Sequence, residues 1–534
     1  MNNSSFEANR KNPKVFSRRF LYLTVFVAGM TTLAVEFTTS RMLQTVYGTS
    51  NIVWANVIGL VLLFLTVGYF LGGRLADKHP DPGYFYWIVT AAGFASSVSL
   101  LLTSVILREA ASAMAAINVG AIISSLVAVL FTLAIPVTLL GSVSPFAIRL
   151  GVRDVSEAGR ISGRIYAVST WGSLLGTYLP VLIIIPIAGT RIAAVIFGSL
   201  LLIIGISGQW QIRRQQALLS LLFFLVLIPL AVLFTRGGIK DYSGQLFEEE
   251  SAYNYIQVIR RDDCNYLLLN EGQAYHSFYC DDGVVPQISV WSLMLSAPYF
   301  NDPSMEIEVK NMAVIGLAAG TIPKQFTRVF GPIAIDGIEL DPAIVQIGRD
   351  YFAMVEPNIN IIIGDGRYEL NRLEDKYDII TLDAYKVPYI PWHLTTQEFF
   401  LEVKEQLSDT GVLAINVGNV PDDPRLVQAI TATLLTVFPS VHTLDVPGSF
   451  NSIIVATNRP TLAQNLKQNI NQLPGDSDPL LLEALQSAID NLAPTESSDI
   501  VFTDERAPVE TIIDSMVIRY LLRKGPASLP GIDG

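Results

Sequence analysis

The sequence is poor in the residues that build metal clusters. Among 534 residues there are two cysteines and four scattered histidines, which rules out a Cys/His zinc cluster on inventory alone. Charge is also scarce: 16% of residues are charged and 51% are hydrophobic, a balance too apolar for an ordinary soluble enzyme. The formal net charge of −12 lies mostly in the second half, so the chain lacks the basic face that nucleic acid requires. Up to about residue 235 long runs are nearly free of charge, and beyond it charged residues return. The length leaves room for two or three domains.

A membrane-crossing helix takes roughly 20 predominantly apolar residues. Seven stretches qualify: 20–38, 51–73, 84–107, 117–140, 166–188, 191–209 and 216–235. The first follows a basic tail, as in a signal peptide, but it is long, lacks a small-residue cleavage site and is followed by more spans. It is expected to be retained. Basic residues gather in the tail, around Arg74 and Lys78, in Arg149 to Arg164, and at Arg213 and Arg214; the alternate loops offer little beyond Arg41, Arg108 and Arg191. Positive-inside reasoning then places the N-terminus in the cytoplasm of a multi-pass protein of the cell (inner) membrane. Seven spans deliver the second half to the other side, and one span more or fewer reverses that. Glu36 and Arg41 are expected near the end of the first span, as interfacial residues or as a functional pair. Gly59, Gly68, Gly72 and Gly73 read as sites of close helix packing.

From about residue 245 the pattern changes to strands. Tyr255–Arg260, Asn265–Leu269 and Ala274–Tyr279 read as short strands with a turn at 270–273, a small β-rich lead-in, and a helix is expected from Gln287 to Ser296. Register across that hairpin brings Cys264 and Cys280 nearly opposite each other, as a possible disulfide or as two reduced, half-buried thiols.

Strand-helix units follow. Met312–Ile315 runs into a turn carrying Gly316, Ala318 and Gly320, where backbone amides and a helix N-terminus are expected to face a ligand. A second strand ends in Glu339, placed to accept ribose hydroxyls, with Asp341 capping the next helix. A third ends in Asp365 and Gly366, with Asp365 at an adenine amino group, and a fourth ends in Asp383. Acids at the carboxyl edge of consecutive strands form the pattern of a ligand site in an open α/β sheet.

The stretches VIGLAAGT, IELDP, IIGDGR, ITLDAYKVPYIPWHLTTQEFF and GVLAINV together resemble the polyamine aminopropyltransferases, the spermidine synthase family of the S-adenosylmethionine-binding Rossmann superfamily. With VEFTTSRML, GYFLGGRLAD, SPFAIRL and TDERAPVE, the chain is similar to the membrane-fused spermidine synthase-like proteins. The resemblance implies a multi-pass α-helical membrane domain, then a small β-rich segment and an α/β Rossmann-like domain of class I methyltransferase type. The expected boundaries are 1–19 for a cytoplasmic tail, 20–236 for the membrane domain, 237–305 for the β lead-in and 306–534 for the nucleoside-binding domain. It further implies S-adenosylmethionine or its decarboxylated form as donor substrate, no metal, and an amine or other small acceptor. Gly316, Ala318, Gly320, Glu339, Asp365, Gly366 and Gln273 would hold the nucleoside, and Asp383 would prepare the nucleophile. The bilayer is the other expected partner, a homodimer is an option, and nucleic acid is not expected.

The acceptor side departs from the family. Its Gly-Gly-Gly-Asp-Gly-Gly turn has Ala319 at the aspartate, its Asp-Ser-Ser-Asp becomes Asp383-Ala384-Tyr385-Lys386, and Val290 and Ser292 stand where a tyrosine and an acid are expected. A cationic diamine needs carboxylates, because an unpaired buried ammonium is costly. Ala319, Tyr385, Lys386 and Trp392 therefore become the acceptor-site candidates, with His393 at the mouth. Three functions fit: an aminopropyltransferase with an altered acceptor, an S-adenosylmethionine-dependent methyltransferase, and a non-catalytic sensor or transport-associated protein.

Overall fold

The computed structural model describes residues 17–47, 51–116, 121–235, 243–270, 274–281, 283, 288–385 and 389–524. They form two compact units that divide at residue 240.

The first unit is all helix. Among the described residues, seven stretches are long and apolar enough to cross a membrane: Arg18–Thr45, Val53–Lys78, Pro82–Thr103, Ser125–Gly151, Val155–Ala188, Thr190–Ile212 and Arg214–Phe234. The number agrees with the sequence reading, but the helices are longer than their apolar cores. The first runs unbroken from Arg18 to Tyr47, so Glu36 and Arg41 lie inside the helix, in the second half of the first candidate span, Arg18–Thr45. The fourth continues to Gly151 through Pro136 and Pro145. Hydropathy finds the stretch that suits lipid, whereas helical hydrogen bonding continues into more polar turns, and proline is tolerated where neighbouring helices re-satisfy the backbone. Gly68 and Gly72 pack tightly, since a Cβ added there would come within 2.3 Å of the Thr138 carbonyl and 2.5 Å of Ser142 Cα. Gly59 and Gly73 face open space, so close packing does not explain them. Large apolar side chains point outward: Phe70 is 66% and Phe131 68% exposed.

The second unit holds two sheets. The smaller is an antiparallel meander of β1 (Gln245–Glu250), β2 (Tyr255–Arg261), β3 (Cys264–Leu269) and β4 (Tyr275–Cys280). β1 was not foreseen, because its run of glutamates hides the alternation; it lies at the sheet edge, where charge is tolerated. Cys264 and Cys280 are register partners across β3 and β4 and are joined by a disulfide.

The larger sheet contains β5 (Asn311–Ile315), β6 (Ala334–Glu339), β7 (Ile359–Ile363), β8 (Tyr377–Leu382), β9 (Leu407–Gly418), β10 (Ser440–Asp445), β11 (Asn451–Thr457) and β12 (Leu492–Ala493). Their spatial order is β12-β10-β11-β9-β8-β5-β6-β7. The five strands β7, β6, β5, β8 and β9 are parallel, and β11 runs antiparallel to both β9 and β10. This mixed sheet is Rossmann-like and of the methyltransferase type. Helices cover both faces, which is why β5 is apolar at consecutive positions: Met312 and Val314 enter one core, Ala313 and Ile315 the other. The helix expected at 287–296 shortens to Val290–Met294, and a 3₁₀ turn follows at Ala297–Phe300. Beyond β11 the chain forms the helices Gln464–Ile470 and Pro479–Asp490 and then the edge strand β12.

The small sheet is not free-standing. Ile256, Val258, Leu267 and Leu269 share a core with Ala319, Ile344, Ile347 and Phe352, which fastens the meander over the turn after β5.

Candidate active site

The strand order reverses at β5, whose neighbours are β6 on one side and β8 on the other. Crevices at such switch points, outside the carboxyl ends of the strands, are where open α/β sheets hold ligands. All four sequence-derived acidic or glycine-bearing edges meet there.

The turn after β5 is tightly specified. Gly316, Ala318 and Gly320 have φ of 87°, 48° and 89°. A Cβ on Gly316 would lie 2.5 Å from the Asp383 carbonyl oxygen, so glycine lets the turn approach the end of β8. The amides here are not free for a ligand, contrary to expectation. Gly316 and Leu317 donate to the Ile338 carbonyl, Gly320 to the Leu317 carbonyl, Ala318 to Glu339 and Ala319 to Ser277 Oγ. The turn supplies shape, and its amides hold it in place. We expect Gly316→Ala to introduce about 1–3 kcal/mol of strain. Thermal unfolding should show that loss of stability with the fold retained.

Glu339 is only 8% exposed. Its Oε2 accepts from the Ala318 amide at 2.9 Å and its Oε1 from the Asp341 amide at 3.0 Å. Burial raises its carboxyl to about 7, against the lowering effect of those amides. Asp341 caps the helix Pro342–Tyr351 by accepting from Ala343 N. Asp365 Oδ1 accepts from the Arg367 and Tyr368 amides at 3.1 Å each, and its Oδ2 lies 2.9 Å from His393 Nε2. The histidine thus sits on the carboxylate expected to meet adenine. A Cβ on Gly366 would lie 2.4 Å from Ile315 Cγ2, so this glycine packs against the end of β5.

Asp383 has two partners that the sequence reading missed. Trp291 Nε1 donates to its Oδ2 at 2.8 Å and Asn416 Nδ2 to its Oδ1 at 2.9 Å. Burial raises this carboxyl to about 6, with both hydrogen bonds pulling it down. Trp291 stands between Val290 and Ser292, the positions where the family resemblance implies a tyrosine and an acid. An indole N–H inside an apolar run needs a partner, which was the available signal. Asn416 lies near the carboxyl end of apolar β9, where strand-end polar residues face the crevice.

Other candidates fall differently. Ala319 is 1% exposed and belongs to the core under the small sheet, so it does not line an acceptor pocket. The reversal at Ala318 turns it inward, and Ser277 secures its amide. The Tyr385 hydroxyl donates to the Asn416 carbonyl at 3.0 Å and its ring packs on the main core, so it supports the site and does not face an acceptor. Trp392 is 44% exposed, edge-on to His393. Gln273 and Lys386 lie outside the described residues.

An ionic knot ties these parts together. Arg367 donates to Glu402 through Nε at 2.8 Å and Nη2 at 2.5 Å, and to Asp504 through Nη1 at 2.8 Å and Nη2 at 2.9 Å. Nη1 also donates to the His393 carbonyl at 3.3 Å. The Asp504 carboxyl is held below its usual range, chiefly by Arg367. The TDERAPVE stretch, which carried no role in the sequence, therefore fastens the loop that bears His393.

Residues 292–457 match the family model described as the spermine/spermidine synthase domain. The chain is 28% identical over 282 residues to a "probable polyamine aminopropyl transferase" of Bifidobacterium longum, a match covering 50% of this chain and 61% of that protein. It is 28% identical over 271 residues to a polyamine aminopropyltransferase of Vibrio vulnificus, covering 49% of this chain and 87% of the relative. Among solved structures, a probable spermidine synthase from Corynebacterium glutamicum aligns at 18% identity with a TM-score of 0.38, covering 49% of this chain and 98% of the other. The match to the family model and to these two aminopropyltransferases lies in the C-terminal half of the chain and spans 61% of the length of the first of them.

Proposed function

We propose that the protein is a membrane-anchored transferase that moves an aminopropyl group from a decarboxylated S-adenosylmethionine-type donor to an amine, with an altered acceptor site. The observation that carries this is Asp383, oriented by Trp291 and Asn416 and packed against the Gly316 turn at the switch point. The names of the relatives add support, and the outward-facing apolar side chains of the helical unit support anchoring in lipid.

The donor nucleoside would lie across the ends of β5, β6 and β7. Glu339 accepts from the Ala318 and Asp341 amides, with the Leu340 amide also holding it, and a remaining lone pair can accept from a ribose hydroxyl. Asp365 Oδ2 can likewise accept an adenine amino group beside His393. The acceptor nitrogen attacks the carbon next to the sulfonium; the C–N bond forms, the C–S bond breaks and sulfur keeps the electron pair, releasing neutral methylthioadenosine. Asp383 takes the proton lost by the amine. Lys386 stands where the resembled Asp-Ser-Ser-Asp has its second acid, so the far end of the acceptor is expected to be neutral or anionic.

Because the Asp383 carboxyl is raised to about 6, its basic form is lost as pH falls through that value. The rate should therefore rise with pH and be half-maximal near 6 on the acid limb, a limb absent from Asp383→Asn. The assay offers the purified full-length chain a decarboxylated donor and a panel of amines and identifies the nucleoside product. Methylthioadenosine is expected. A second reading, methyl transfer, draws on a 26% identity over 171 residues to a Mus musculus protein called "eEF1A lysine and N-terminal methyltransferase". S-adenosylhomocysteine from the undecarboxylated donor would favour it, and binding with neither product would favour a sensor.

A further inference from the structure

We infer that the synthase-type domain works on the non-cytoplasmic side of the membrane, where Cys264 and Cys280 are oxidised. Two independent observations converge on this.

The first lies within the helical unit. Three ion pairs join its basic loops at one end: Arg18 with Glu157 at 3.3 Å, Arg149 with Asp77 at 3.2 Å, and Arg213 with Asp81. Exposed pairs of this kind add little stability, but they report position, and they gather the basic loops into one belt. That belt faces the cytoplasm by the positive-inside rule. Arg213 follows the end of the sixth span, Thr190–Ile212. Arg191, at the other end of that span, donates through Nη1 to the Phe234 carbonyl at 2.9 Å. Phe234 closes the seventh span, so the chain leaves the bundle at the end away from the belt. Only about ten residues then precede β1 at Gln245, and a further crossing takes roughly 20. This placement uses the last two spans and the belt, and it stands whatever precedes Arg18.

The second lies in the small sheet. Cys264 and Cys280 are bonded, and the described residues contain no free cysteine. Structural disulfides persist in oxidising compartments and are rare in the cytosol. Parity and redox chemistry agree.

The consequence for the reaction rests on the function proposed above. A sulfonium nucleoside carries a fixed charge and does not cross hydrocarbon unaided. A transport step that delivers the cationic donor to the non-cytoplasmic face must therefore precede transfer.

The test uses single exposed cysteines in the full-length chain with the native disulfide intact. Glu306→Cys reports the domain and Asp154→Cys the basic belt. In spheroplasts, a membrane-impermeant maleimide should label Glu306→Cys without permeabilisation and Asp154→Cys only after it. In acid-quenched, denatured samples of the unmodified chain, Cys264 and Cys280 should alkylate only after reduction. Protection of Glu306→Cys, or alkylation of the native pair without reductant, overturns the inference. Neither readout depends on substrate, so failure of the activity assignment would leave it standing, and the reverse also holds.

Discussion

Replacing Asp383 by Asn should reduce methylthioadenosine formation about 100- to 10,000-fold, the usual contribution of a positioned base, while nucleoside affinity stays within about threefold, well below the tenfold that 1.4 kcal/mol represents. The substitution keeps the size and shape of the side chain. An asparagine oxygen can still accept from Trp291, and the Asn416 amide can turn so that its oxygen accepts the new NH₂ group; its own NH₂ then takes the buried place where Asn416 Oδ1 has no partner, so some stability is lost along with the rate. The nucleoside contacts proposed for Glu339 and Asp365 are untouched. Single-turnover rates and calorimetric titration on the same preparation separate the two effects. A variant that turns over normally removes Asp383 from the chemistry, and one that loses affinity as well as rate makes it part of the binding cradle.

The second large effect is expected at Arg367, which shows no sign of catalytic chemistry. Its guanidinium satisfies Glu402 and Asp504 together, with only 19% of its side chain exposed. Removing one partner of a buried charge cluster costs about 3–5 kcal/mol, and the partial exposure of both acids reduces this to roughly 2–4 kcal/mol. Arg367→Ala should therefore lower the thermal midpoint of the domain by about 5–10 °C. Arg367→Lys should recover little of that, since an ammonium cannot serve two carboxylates in a planar fork. The loop bearing His393 loses an anchor as well, so nucleoside affinity should fall in both variants. An unchanged midpoint would mean that the knot is ornamental.

Much of the site was legible because strand ends are legible. Apolar runs that stop at Gly316, Glu339, Asp365 and Asp383 have a period and a boundary, and the α/β topology carries those boundaries to one edge. What each group does there was harder to read. A carboxylate at a strand end can serve a ligand or the backbone, and the sequence does not distinguish them: Glu339 meets an amide 21 residues away and Asp365 a histidine 28 away. Trp291 and Asn416 stayed hidden because each looks like core. Ala319 sits in the core under the small sheet because the backbone reverses at Ala318, a feature that residue spacing does not reveal. In the helical half, composition found the seven long apolar helices but not their ends, as the continuation of the first helix past Glu36 and Arg41 illustrates.

The most direct test of the central claim is a calorimetric titration of the full-length protein with 5′-methylthioadenosine, using adenosine triphosphate as the control. A crevice built for a neutral thioether nucleoside should bind it in the micromolar range, near −8 kcal/mol, and bind the triphosphate at least tenfold more weakly. No binding of methylthioadenosine up to millimolar concentration, or a preference for the triphosphate, would contradict the account.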